Sequence, residues 1–83
     1  MQSGELVVTG TGSLTIPLSG KPREVSVGFR PLHHHVPCNP HHHDKLEYQI
    51  TSEHLKLHHE SLFFLVIEWE VSGIREIEWS ILY

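Results

Sequence analysis

Apolar and polar residues alternate along most of this chain. In residues 22–29, PREVSVGF, the side chains of Val25, Val27 and Phe29 fall on one face and Glu24, Ser26 and Gly28 on the other. A period of two is the pattern of a half-buried strand. KLEYQITS repeats it with Leu46, Tyr48 and Ile50. The stretches ELVVT and SLTIPL are short, β-branched and separated by GTG, so they read as further strands. The last third is the clearest. In SLFFLVIEWEV one face holds Phe63, Leu65, Ile67, Trp69 and Val71. The other begins with Leu62, Phe64 and Val66 and then turns charged at Glu68 and Glu70. This strand is expected to begin buried on both faces and to end with one face wet. Ser72 and Gly73 form a turn signal. IREIEWSILY then sets Ile77, Trp79, Ile81 and Tyr83 against Glu76, Glu78 and Ser80. The pattern predicts that these two strands form a C-terminal hairpin.

Residues 52–61, SEHLKLHHES, fit two periods. A strand would place Leu55 and Leu57 inside; a helical turn would stack His54 on His58. Continued alternation favours the strand. Turn signals recur at the spacing of a sandwich or small barrel. The expected fold is all-β: a small antiparallel β-sandwich or partly closed barrel, with residues 1–83 as a single domain. No internal repeat and no linker are read from the chain.

Eighty-three residues bound what such a domain can be. A chain this short buries a modest share of its surface and often adds a disulfide, a metal or a partner copy. One cysteine excludes a disulfide within the chain. A metal or an oligomer therefore gains weight. The formal charge of −4 speaks against nucleic acid, which wants a basic surface. No apolar run has the length of a membrane span, and no signal-peptide pattern opens the sequence.

The chemistry concentrates in residues 33–44, HHHVPCNPHHHD. Two His triplets flank the single Cys38, with Pro37 and Pro40 near it. The triplets are internal and interrupted, unlike a purification tag. The segment is nearly palindromic about Cys38. A hairpin with residues 36–40 as its loop pairs His35 with His41 and His33 with His43. Those side chains share one face, and His34 and His42 take the other. Opposed residues have Cβ atoms about 4.5–5.5 Å apart, a workable separation for imidazoles meeting at one ion. His33, His35, Cys38, His41 and His43 are the candidate metal ligands. Neutral imidazole suits zinc, iron, nickel and copper, and a thiolate favours zinc. Zinc is the first expectation, with iron or nickel next. Asp44 is placed to orient a ligand imidazole. His54, His58 and His59 read as surface residues that join the site only if the fold brings them near. A solvated loop and a pH-responsive cluster remain open as readings of the same residues.

Catalysis lacks its parts. Cys38 lies in a predicted turn with no helix N-terminus to activate it. A metal oxygenase would need a Glu soon after His33 and His35, and none precedes Glu47. A non-enzymatic domain is expected. Glu68, Glu70, Glu76 and Glu78 read as a solvated face. The apolar face ending in Trp79, Ile81 and Tyr83 exceeds what a lone hairpin can bury and must meet another sheet.

The stretches GSLTIPLSGKPREVSVGF and VSGIREIEWSILY resemble the small β-sandwich modules of tailed-bacteriophage virion proteins: tail-fibre and tailspike parts, or their companion domains. Some fibre and spike tips of that kind carry His-x-His pairs around an iron ion in a trimer. Here the matching pairs are His33 with His35 and His41 with His43; Cys38 is outside that pattern. The resemblance implies a structural or assembly domain, a homo-oligomer, and a location in the host cytoplasm during assembly and then in the virion. It makes a larger phage tail protein or a host surface glycan the expected partners. A carbohydrate-binding module using Trp69 or Trp79 is the alternative, and a small metal-binding or metal-sensing protein is a third.

Overall fold

The computed structural model describes residues 1–30 and 44–83. Among these residues, four strands form one antiparallel sheet, not closed into a barrel. They are β1 (Gln2–Pro17), β2 (Glu24–Phe29), β3 (Lys45–Leu55) and β4 (Glu60–Leu82). The long strand β4 is central. β1 pairs with it along one whole side, from Gln2 opposite Ile81 to Pro17 opposite Phe64. The other side is shared end to end: β2 takes residues 77–82 of β4, and β3 takes residues 60–70.

The sheet bends sharply near the middle of β4. Between Thr9 and Thr11, β1 spends only Gly10, whereas β4 spends residues 71–73. Gly10 and Gly73 both have positive φ, 63° and 82°, a conformation that favours glycine. Such an irregularity bends a strand and raises its twist. The register shifts by two residues across it, from Thr9 opposite Ile74 to Thr11 opposite Glu70. Because side chains alternate with period two, a shift of two keeps the inner face in phase on both sides of the bend.

The bend folds the sheet onto itself. A straight strand of 16 residues spans about 50 Å. Yet Gln2 at the start of β1 donates its side-chain N–H to the Pro17 carbonyl at its end, 3.2 Å away. The Tyr83 hydroxyl closes the same end: it donates to Gln2 Oε1 and accepts the Ser19 N–H at 3.0 Å. Two layers result. The short layer holds β1 residues 2–9, β4 residues 74–82 and β2. The long layer holds β1 residues 11–17, β4 residues 60–70 and β3. Between them lies one core of Val8, Leu65, Ile67, Val71, Ile77 and Ile81. Leu65 and Ile67 from the long layer and Ile77 and Ile81 from the short one are 0% exposed, which a single uncovered sheet face does not achieve. Full burial of each such side chain stabilises by roughly 1.5–3 kcal/mol.

Several expectations are corrected here. Ser72 and Gly73 do not turn a C-terminal hairpin. They lie in the bend of one continuous strand, and the segments on either side stack face to face instead of pairing. GTG likewise does not separate two strands; β1 runs through it. The start of β4 is not buried on both faces: Leu62 is 39% exposed, and Phe64 and Val66 are half-buried. Residues 45–55 are strand, as the alternation predicts, but a turn follows and leaves Leu57 at 92% exposure.

The pairing also brings out an internal repeat that the linear sequence hides. In the short layer, Gly4, Trp79 and Val27 form one row across the strands, and Leu6, Ile77 and Phe29 another. In the long layer the corresponding rows are Gly12, Trp69 and Leu46, then Leu14, Ile67 and Tyr48. Each layer thus carries a glycine–tryptophan–aliphatic row beside a leucine–isoleucine–aromatic row. The glycines are required by packing. A Cβ at Gly4 or Gly12 would come within 2.7 Å of the indole of Trp79 or Trp69.

Candidate functional site

His33, His35, Cys38, His41 and His43 lie outside the described residues, as do His34 and His42, so the hairpin register proposed for them does too. What the structure defines is the pair of anchors between which the segment is held. Both stand at the bend of β4.

On the N-terminal side, β2 delivers Arg30 to the outer face of the short layer. Its backbone N–H donates to the Glu76 carbonyl at 2.8 Å. Its guanidinium meets Glu5 at 3.0 Å, Glu78 at 3.4 Å and Glu76 at 3.7 Å. These carboxylates are half exposed, so each pair alone contributes little; the network fixes the position of Arg30. The expected solvated face is present, with Glu68, Glu70, Glu76 and Glu78 all exposed on the outer sides of the two layers.

On the C-terminal side, Asp44 is the residue before β3, and its side chain is 0% exposed. One oxygen accepts the Ser72 backbone N–H at 3.0 Å, and the other accepts Nε of Arg75 at 2.8 Å. Arg75 is itself 17% exposed and donates from Nη1 to the Ile74 carbonyl at 2.8 Å. The carboxylate therefore clasps the bulge: it caps a backbone donor that the irregular ladder leaves over, and it neutralises an arginine on the inner face. A buried pair of this kind is held by both charges, and removal of one leaves the other uncompensated. Arg75 was not among the residues singled out from the sequence. The signal for it was present: a cation on the odd, apolar side of Val71, Ile77 and Ile81 needs a buried anion.

His54, His58 and His59 are exposed and sit at the other end of the long layer. Ten residues of strand separate His54 from Asp44, about 33 Å at the usual rise. The His54 ring contacts the Ser61 hydroxyl at 3.5 Å. The fold thus does not bring them beside the anchors. Among the described residues, no three His, Cys, Asp or Glu side chains are grouped to hold a metal ion.

Both tryptophans pack against the core, each indole lying on a glycine of β1. Trp69 Nε1 is buried and, among the described residues, has no hydrogen-bond partner. A cleft of about 430 Å³ opens over the same place, lined by Thr11, Ser13, Lys45, Glu47, Glu68 and Glu70 with Gly12 and Trp69. Among the described residues there is no helix long and apolar enough to cross a membrane. No family model matches the sequence, and comparison with curated proteins and with solved structures likewise gave no match.

Proposed function

We propose that this chain is a non-enzymatic structural β-domain whose His/Cys segment holds a transition metal at the bend of its folded sheet. The observation that carries the reading is the double anchorage. A segment with His33, His35, Cys38, His41 and His43 is tied at one end by Arg30 to Glu5, Glu76 and Glu78, and at the other by buried Asp44 to Ser72 and Arg75. An ion held between those anchors would brace the place where the two layers join. Such an ion contributes its binding free energy directly to folding, which suits a domain this small. Zinc fits a site with a thiolate and imidazoles; iron or nickel fits one made of imidazoles alone.

The proposed setting is a phage virion appendage or its assembly companion, in which the domain is a homo-oligomer. The resemblance in sequence texture supports this setting. The carbohydrate-binding alternative draws less support, because each indole has a face against a β1 glycine.

The test is elemental analysis of protein purified without nickel resin. About one equivalent of a transition metal per chain, or one shared among symmetry-related chains, is expected. Less than about a tenth of an equivalent in a fully folded sample would sink the metal reading. Imidazoles that hold an ion must be neutral, so acid is expected to release it and lower stability. Excess metal should move that transition to lower pH by mass action.

A further inference from the structure

Among the described residues, β1 pairs only with β4, and its other edge is the least protected of the sheet. Edge strands present unpaired backbone groups, and proteins usually blunt them with charges, proline or irregularities. β2 carries Glu24 and is flanked by Arg23 and Arg30; β3 carries Lys45, Glu47 and Glu53. β1 is longer, and Glu5 is its single charged residue. Its proline is at the last position, and its kink at Gly10 falls in the bend, where it interrupts neither run of strand. Two aliphatic side chains on this strand are left open: Val7 at 66% on the outer face and Leu14 at 40% on the inner.

The way β1 doubles back gives this edge a particular geometry. Its runs 2–9 and 11–17 lie one above the other, in different layers, on the same side of the sandwich, and they run in opposite directions. Rotation by half a turn about the long axis exchanges the two layers. It sets run 2–9 of one copy beside run 11–17 of a second copy, antiparallel, in both layers at once. We infer that β1 is a homodimerisation edge: a second copy of this chain adds its β1 to ours about such an axis and extends both layers together. The inference rests on the oligomeric part of the reading above and does not involve the metal. Thr9 and Thr11 flank the bend and Gln2 reaches Pro17, so Val7 of one copy stands beside Ser13 of the other, both on the outer face. The interface is isologous and closes at two copies, which is the form most soluble oligomers take. It covers Val7 and Leu14 and satisfies the free backbone groups of β1. The low charge of β1 lets a strand meet its own copy without repulsion, which the charged edge of β3 does not.

Light scattering on the eluting protein across a dilution series tests this. Wild type should have twice the 9.6 kDa chain mass. The pair Val7→Lys with Ser13→Lys puts like charges together across the proposed edge. It should weaken the dimer tenfold or more, equivalent to about 1.4 kcal/mol or more, with the β-sheet circular dichroism retained. Glu47→Lys with Gln49→Lys, on β3, should leave the dimer intact. A wild type that stays monomeric overturns this interface together with the oligomeric reading. A dimer indifferent to the β1 charges but broken by those on β3 overturns the interface alone. Hydrogen exchange on wild type is a check that needs no variant to fold. Amide protection in residues 4–16 that rises with protein concentration supports the β1 edge; protection that rises only in β3 overturns it.

Discussion

The short and long layers carry corresponding rows, but those rows are finished differently. Ile77 and Ile67 occupy equivalent central positions, and both are 0% exposed. Their neighbours diverge. Leu6 and Phe29 in the short layer are half-buried, whereas Leu14 and Tyr48 in the long layer are 40% and 47% exposed. The outer faces differ as well. On the outer side of β4, the short layer sets Glu76, Glu78 and Ser80 between the exposed Ile74 and Leu82, while the long layer opens with a run of Leu62, Phe64 and Val66 before Glu68 and Glu70. One repeated pattern thus yields a shared core along β4 and unequal margins. Burial is set less by a residue's place in its own row than by what the opposite layer puts over it. β2 has 6 residues and β3 has 11, so the margin of the long layer outruns its cover.

The two layers meet at Ile67 and Ile77. Ile77→Ala and Ile67→Ala should each cost about 3–4 kcal/mol in denaturant unfolding, because both remove fully packed methyl groups from the same core. If one costs less than about 1 kcal/mol, the layers do not share a core as described. Asp44→Ala comes next, at about 3 kcal/mol, since it strands Arg75 on the inner face. Replacing Asp44 by Ala and Arg75 by Met together should cost less than Asp44→Ala alone. A double variant worse than the single one would show that the pair is not the clasp of the bend. Smaller again is the effect at the glycines. Gly4→Ala and Gly12→Ala should each cost about 1–3 kcal/mol through overpacking against Trp79 and Trp69. At Gly28 a Cβ meets nothing within 4 Å among the described residues, so Gly28→Ala should be close to neutral. Unequal costs at Gly4 and Gly12 would limit the equivalence of the two tryptophan rows.

How much of this could be read in advance depends on whether the determining contacts are local. The faces of β2, β3 and β4 follow from alternation alone, and Val25, Val27, Leu46, Ile67 and Ile77 lie where that pattern puts them. The bend is another matter. A glycine with positive φ serves a hairpin turn and a bulge equally well, so Ser72 and Gly73 do not say which they make. The decision belongs to β1, sixty residues earlier, which pairs with both sides of the bend. The repeat is hidden for a related reason. Its glycines are 8 positions apart in β1, its tryptophans 10 apart in β4, and Val27 and Leu46 are 19 apart. No single period links them; only the register does. Of the proposed metal site, the candidate ligands are plain in the sequence, but the anchors are not. Asp44 stands out as the acidic end of a His-rich run, and its attachment to Ser72 and Arg75 depends on a bulge no local pattern reveals.

On the proposed reading, an ion bound between Arg30 and Asp44 would brace the bend where the two layers join. The most direct test of that reading is thermal unfolding of protein purified without nickel resin, measured as isolated, after a chelator, and after zinc is restored. A clear drop in melting temperature with the chelator and full recovery with zinc are expected. At a zinc concentration a hundredfold above the dissociation constant, the gain over the metal-free protein should be about 2.7 kcal/mol. Identical melting curves in all three samples would contradict that reading.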